Sequence, residues 1–177
     1  FSTIANNDKV GVIFFSDKIE KFIPAKKGKT HVLHIIRELL SFEPTSSGTD
    51  VAQALQYFTN AQKRHCTAFL ISDFIGAGAM YKPLLIASNR HEVNAIQIYD
   101  RHEAELPNIG LVKFHDAESD NDLWIDTSLA SVRKEYAQAW KENQDSLEQL
   151  FTRTGVNHIS VRTDEDYVKA LMHLFRC

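Results

Sequence analysis

The chain has 177 residues, 44% of them hydrophobic and 24% charged, which fits one globular domain with a sizeable core and excludes a disordered chain. A net charge of −3 excludes the basic footprint of a general nucleic-acid binder. No apolar run approaches the roughly 20 residues of a membrane helix, no signal peptide opens the sequence, and two distant cysteines, Cys66 and Cys177, suit a reducing, cytoplasmic compartment.

The sequence opens at Phe1 rather than Met, and Ser2–Asn7 read like the tail of a helix, so a fragment of a longer protein is expected. "KVGVIFFS" (Lys9–Ser16) is β-branched and aromatic and reads as a strand. "IEKFIPA" alternates apolar and polar residues and reads as an antiparallel edge strand ending at Pro24. After a basic loop, "KKGK", a helix is expected over His31–Phe42, with Val32, Ile35, Ile36, Leu39 and Leu40 on one face. A second helix carries Val51, Ala54, Leu55 and Phe58.

"TAFLIS" (Thr67–Ser72) is continuously apolar and reads as a fully buried strand. "GAGAMYKPLLIAS" gives a loop and a short helix with Pro83 in its first turn. "EVNAIQIY" (Glu92–Tyr99) is the next strand. A hairpin, Leu111–His115 with Leu123–Asp126, surrounds an acidic turn, and a long helix runs from Leu129 to about Thr152. "VNHISV" is a last buried strand, and "TDED" sets Thr163 as cap of the final helix, with Tyr167, Val168, Leu171, Leu174 and Phe175 apolar.

Strands separated by amphipathic helices predict a Rossmann-like α/β domain spanning residues 1–177, with a mostly parallel sheet and helices on both faces. Ligands of such sheets bind beyond the carboxyl ends of the strands, so the loops after Ser16, Ser72 and Tyr99 form the expected functional edge. Two segments stand out there: "SSGTD" (Ser46–Asp50), opening a helix, and "SDF" (Ser72–Phe74), closing a strand. A hydroxyl and a carboxylate on one rim suit a hard cation such as Mg²⁺, which takes oxygen ligands, keeps several waters and needs one or two carboxylates.

The order "DKVGVIFFSD", then "SSGTD" with an amphipathic helix, then "FLISDF" resembles the von Willebrand factor A domain. It is similar above all to a bacterial subfamily of uncharacterised proteins commonly encoded beside MoxR-type AAA+ ATPases, and the likeness covers nearly the whole chain. The resemblance implies a metal-ion-dependent adhesion site built from a D-x-S-x-S loop after the first strand, a threonine in a later loop and an aspartate after the fourth strand. Thr49 matches the threonine and Asp73 the aspartate. D-x-S-x-S occurs nowhere in the chain. The family's first strand and three usual ligands are therefore absent, and tight metal binding is not expected of Thr49 and Asp73 alone. The absent strand is central in the family's sheet, between those assigned to Lys9–Ser16 and Thr67–Ser72. The gap is expected to be closed by direct pairing of these strands, by another chain or by distortion, and exposed edges offer a route to self-association.

Plainer readings stand beside these. Thr49, Asp50 and Asp73 are residue types that cap helices and turns. Gly76–Gly78 fails as a dinucleotide fingerprint because Tyr81 falls where the third glycine belongs. His31 and His34 share a helix face without an evident third ligand, and the acidic turn lacks the EF-hand's glycine and terminal glutamate. The resemblance implies a protein-binding adaptor that is not an enzyme. In the intact protein a partner, a AAA+ ATPase or its client, would complete the coordination of Mg²⁺ at the rim of the Ser16, Thr49 and Asp73 loops. The alternative is a Mg²⁺-dependent hydrolase or phosphoryl-transfer enzyme using Asp73, for which no general base or phosphate-cradling loop stands out.

Overall fold

A computed structural model describes residues 8–46, 48–75, 79–116 and 121–174, and within these the side chains of residues 115, 116, 121 and 173 are not described. The expected helix tail at Ser2–Asn7, the Gly76–Gly78 loop, the tip of the acidic turn, Phe175 and Cys177 lie outside the described residues. The elements run β1 (Val10–Phe15), β2 (Ile19–Lys26), α1 (Lys29–Ser41), α2 (Val51–Ala61), β3 (Thr67–Ser72), α3 (Tyr81–Arg90), β4 (Glu92–Tyr99), α4 (Arg101–Ala104), β5 (Leu111–Asp116), β6 (Asn121–Asp126), α5 (Ala130–Thr154), β7 (Asn157–Arg162) and α6 (Tyr167–Leu174).

The fold is α/β and Rossmann-like, as the alternation predicts. β3, β4 and β7 form a parallel sheet in the order β3-β4-β7, while β1-β2 and β5-β6 are separate antiparallel pairs. The short helix α4 was not foreseen. A capping box holds it: the Asp100 carboxylate accepts from the His102 N–H at 2.8 Å, and Glu103 reaches back to the Asp100 N–H at 3.1 Å.

One core lies on one face of the parallel sheet. It joins Val51 and Leu55 of α2, Leu70, Phe74, Met80, Leu84 and Ala87, Val93 and Ala95 of β4, and Leu147 and Phe151 of α5. α5 ends where Gly155 turns left-handed at φ 66°, its N–H returning to the Phe151 and Thr152 carbonyls.

Two expectations about burial are corrected. β3 is buried on one face only: Leu70 joins the core, but Phe69 and Ile71 are 43% and 53% exposed. α1 forms where expected, yet buries no residue fully, and Leu40 is 83% exposed. Among the described residues β1 pairs only with β2, and β3 only with β4. Direct pairing of the flanking strands is therefore not what happens; the two sheets stay apart, and the surfaces beside the divide are left uncovered. The final helix also differs, since Asp166 rather than Thr163 accepts from a first-turn N–H, that of Val168, at 3.0 Å.

Gly11 sits at a register irregularity between Val10 and Val12. A Cβ there would stand 2.8 Å from both the Ala25 nitrogen and the Ile23 oxygen. Backbone rather than a flexible side chain would have to move, so Gly11→Val is expected to destabilise by about 1–3 kcal/mol, the usual cost of overpacking. Urea denaturation measures it.

Candidate functional site

Of the loops that carry Ser16, Thr49–Asp50 and Asp73, two are joined directly, those after β1 and before α2, and the third follows β3. Phe15, Val51 and Phe74 all belong to or pack against the single core, and they are the immediate neighbours of Ser16, Asp50 and Asp73. Burial in one core anchors the loop that follows or precedes each of these side chains. The Asp50 N–H donates to the Ser16 carbonyl at 2.8 Å, joining the loop after β1 to the start of α2. Gly48 comes so close to Asp17 that a Cβ on it would lie 3.4 Å from the aspartate Cβ.

Glu20 makes a second joint. Its carboxylate accepts from the buried Ser16 hydroxyl at 2.8 Å, from the Thr45 N–H at 3.0 Å and from the Thr45 hydroxyl at 2.7 Å. The Thr45 hydroxyl first, then Ser16 and the Thr45 N–H, hold this carboxyl below its ordinary value of 4.5. A carboxyl lowered on folding contributes stability that is full above the unfolded value and lost as pH falls through the folded one. Glu20→Gln is therefore expected to lower the melting temperature at neutral pH and to flatten its decline below pH 4.5. A Tm–pH profile of both proteins checks this.

The individual residues divide between plain and functional roles. Asp50 is the N-cap of α2, accepting from the Gln53 N–H at 2.8 Å; Asp50→Ala is expected to cost about 1 kcal/mol, the value of a lost cap, as read by chemical denaturation. Asp73 is exposed, and its Oδ1 accepts from the Ile75 N–H at 3.0 Å, closing a turn. Its Oδ2 has no hydrogen-bond partner among the described residues. Thr49 is exposed, and its hydroxyl likewise makes no hydrogen bond among them.

The Asp73 turn is strained. Phe74 has φ 59°, the only positive value among the described residues other than glycine, and a bulky side chain rarely adopts it. Such strain persists only where the surroundings impose it, and it gathers at functional loops. Below the turn, the buried Gln97 donates through Nε2 to the Asp73 carbonyl at 3.2 Å and accepts from the Ser160 hydroxyl at 2.8 Å. Sequence reasoning missed Gln97 and Glu20. The available signal for Gln97 was a second polar residue, after Asn94, inside an otherwise apolar strand.

As a metal site the described residues are incomplete. The Thr49 hydroxyl and the Asp73 Oδ2 are hard oxygen donors of the kind Mg²⁺ takes. No group of three or more His, Cys, Asp or Glu could hold a metal ion among the described residues. Two such donors alone cannot fill a coordination sphere. His31 and His34 form no such site either; the His31 Nε2 lies 2.9 Å from the Val10 carbonyl.

Several known proteins are similar to this chain. Uncharacterised proteins of Mycobacterium tuberculosis (Rv1480) and Mycobacterium bovis (Mb1516) are each 28% identical over 172 residues, covering 95% of this chain and 53% of theirs. The chain thus spans about half the length of these curated relatives. Two solved structures share the fold at 16% identity. One is the conserved hypothetical protein BatB from Bacteroides thetaiotaomicron, with TM-score 0.55 over 96% of this chain and 77% of that one. The other is an aerotolerance-related membrane protein from Bacteroides fragilis, with TM-score 0.59 over 97% and 81%. No helix among the described residues of the present chain is long and apolar enough to cross a membrane. A family profile described as "Protein of unknown function DUF58" matches residues 1–146, and the chain belongs to that family.

Proposed function

We propose that this chain is the greater part of a protein-binding adaptor domain of the von Willebrand factor A type, whose Mg²⁺ site is shared with a preceding segment of a longer protein. One observation supports the reading: the neighbours of Ser16, Asp50 and Asp73 share one core, beside a divide where two sheets stay unpaired among the described residues. Thr49 and Asp73 would hold the metal from this chain's side. A strand entering between β1 and β3 would bring the remaining ligands and give both edges a backbone partner.

The metal's role would be to leave one coordination position open for a partner's carboxylate. This chain would position that partner through the rigid Asp73 turn and through the Glu20–Thr45 joint. A MoxR-type AAA+ ATPase or its client is the partner proposed, in the cytoplasm; the link to such ATPases rests on the family resemblance, and fold alone does not fix it. Immobilising the longer protein and passing a purified MoxR-type ATPase over it tests the role. Binding in Mg²⁺ that is lost in EDTA, with no turnover of phosphate esters, is the expected result. Phosphate-ester hydrolysis abolished by Asp73→Asn would replace the adaptor reading with an enzymatic one.

A further inference from the structure

α1 is apolar on the side that faces away from its sheet. It meets the β1–β2 pair through His31 and Glu38, which share one helix face: the His31 Nε2 lies 2.9 Å from the Val10 carbonyl, and Glu38 pairs with Lys21 of β2. Lys29, Leu33, Ile36 and Leu40 follow one another at three- and four-residue spacing on the opposite face. Leu33, Ile36 and Leu40 are 48%, 36% and 83% exposed, and Leu39 beside them is 61% exposed. Single exposed leucines are ordinary, but the outward side of a surface helix is normally its polar side. Here it is an aliphatic stripe.

The charge around the stripe is of one sign. Between Glu20 and Glu38 the sequence holds Lys21, Lys26, Lys27, Lys29 and Arg37 and no acid, in a chain whose net charge is −3. Lys26, Lys27, Lys29 and Arg37 make no ion pair among the described residues. The first turn of α1 also lacks an acid, so the positive end of the helix dipole adds to the lysines that precede it.

We propose that this face of α1 docks on the surface of a bilayer that contains anionic lipid. A basic helix with an aliphatic outer stripe lies in the plane of the interface, its apolar side chains at the boundary of headgroups and acyl chains and its lysines among the phosphates. Nucleic acid would match the charge and offer nothing to Leu33, Ile36 and Leu40, and the stripe has no aromatic ring on which a base could stack. An acidic protein would need a groove of matching shape. A bilayer satisfies the charge and the stripe together and needs no such match. One helix and a few cations give reversible attachment that salt weakens.

The test is co-sedimentation of the full chain with vesicles of phosphatidylcholine alone and of equal parts phosphatidylcholine and phosphatidylglycerol, at low and at high salt. Binding to the anionic vesicles only, lost at high salt, is expected. Lys27→Gln combined with Lys29→Gln should weaken it about twenty-fivefold, fivefold for each lysine at the surface. Leu40→Gln should weaken it about tenfold, the effect of withholding one leucine side chain from an apolar phase. Leu40 is 83% exposed and glutamine is a good helix former, so the urea midpoint of Leu40→Gln should match that of the parent, which separates lost docking from lost structure. The proposal is overturned if neither vesicle binds, if both bind equally, or if Leu40→Gln binds the anionic vesicles as tightly as the parent. Poly-L-glutamate or duplex DNA bound more tightly than the vesicles, with no loss in Leu40→Gln, also overturns it and makes the lysines a patch for acidic macromolecules.

Discussion

Replacing Phe74 by alanine is expected to cost about 3–5 kcal/mol of stability, the range for removing a buried phenylalanine side chain. The ring is 1% exposed and meets Phe151 edge-on at 5.4 Å, a geometry aromatic pairs favour. Its backbone sits at φ 59°, in a turn that the Ser72 hydroxyl, the Ile75 N–H and the Gln97 amide fasten independently of the ring. Alanine keeps a Cβ, so it loses the ring and retains the strain. Glycine loses the ring and relieves the strain, worth about 1 kcal/mol in a left-handed conformation. Phe74→Gly should therefore be at least as stable as Phe74→Ala, the reverse of the usual order of these residues in ordered structure. Urea midpoints of the three proteins decide it; alanine clearly more stable than glycine would mean that the turn is not strained.

In the longer protein, Asp73→Ala is expected to weaken Mg²⁺ binding about a hundredfold or more, since a direct carboxylate ligand should matter more than outer-shell partners, whose loss costs about 10–100-fold in metal affinity. In the present chain the same change removes the acceptor for the Ile75 N–H and for a long contact from the Ser72 hydroxyl, exposed bonds whose loss costs about 1 kcal/mol. The contrast between large loss of metal affinity and small loss of stability separates a ligand from a turn former. Isothermal titration of the variant, paired with its urea curve, supplies both numbers.

Much of the architecture is legible in the sequence because periodicity reports it directly. β4, α2 and α5 lie close to where their apolar spacing puts them. Burial was less legible, because a pattern says which face is apolar and not what covers it. The continuous apolar run of β3 reads as a strand covered on both faces, whereas Phe69 and Ile71 lie beside an unpaired edge. The same holds for α1, whose spacing predicts the helix and cannot predict the partner of its outer face.

The site shows a similar division. Asp50 and Asp73 are visible as acids at element ends, and both do the plain work of capping a helix or closing a turn. That work leaves the Oδ2 of Asp73 without a hydrogen-bond partner among the described residues, so the plain and functional roles are compatible. The left-handed Phe74 was beyond sequence reasoning, because nothing in a phenylalanine signals a positive φ; its surroundings impose it. Glu20 and Gln97 act across 25 and 24 residues of sequence, a separation that no local pattern records.

The most direct test of a divided metal site is calorimetric titration of Mg²⁺ into this chain and into the longer protein that includes the preceding segment. Saturable binding in the longer protein, abolished by Asp73→Ala, with no saturable heat in the chain alone, is the result predicted. Equal affinity in the two would contradict the division of ligands between Thr49, Asp73 and an upstream strand.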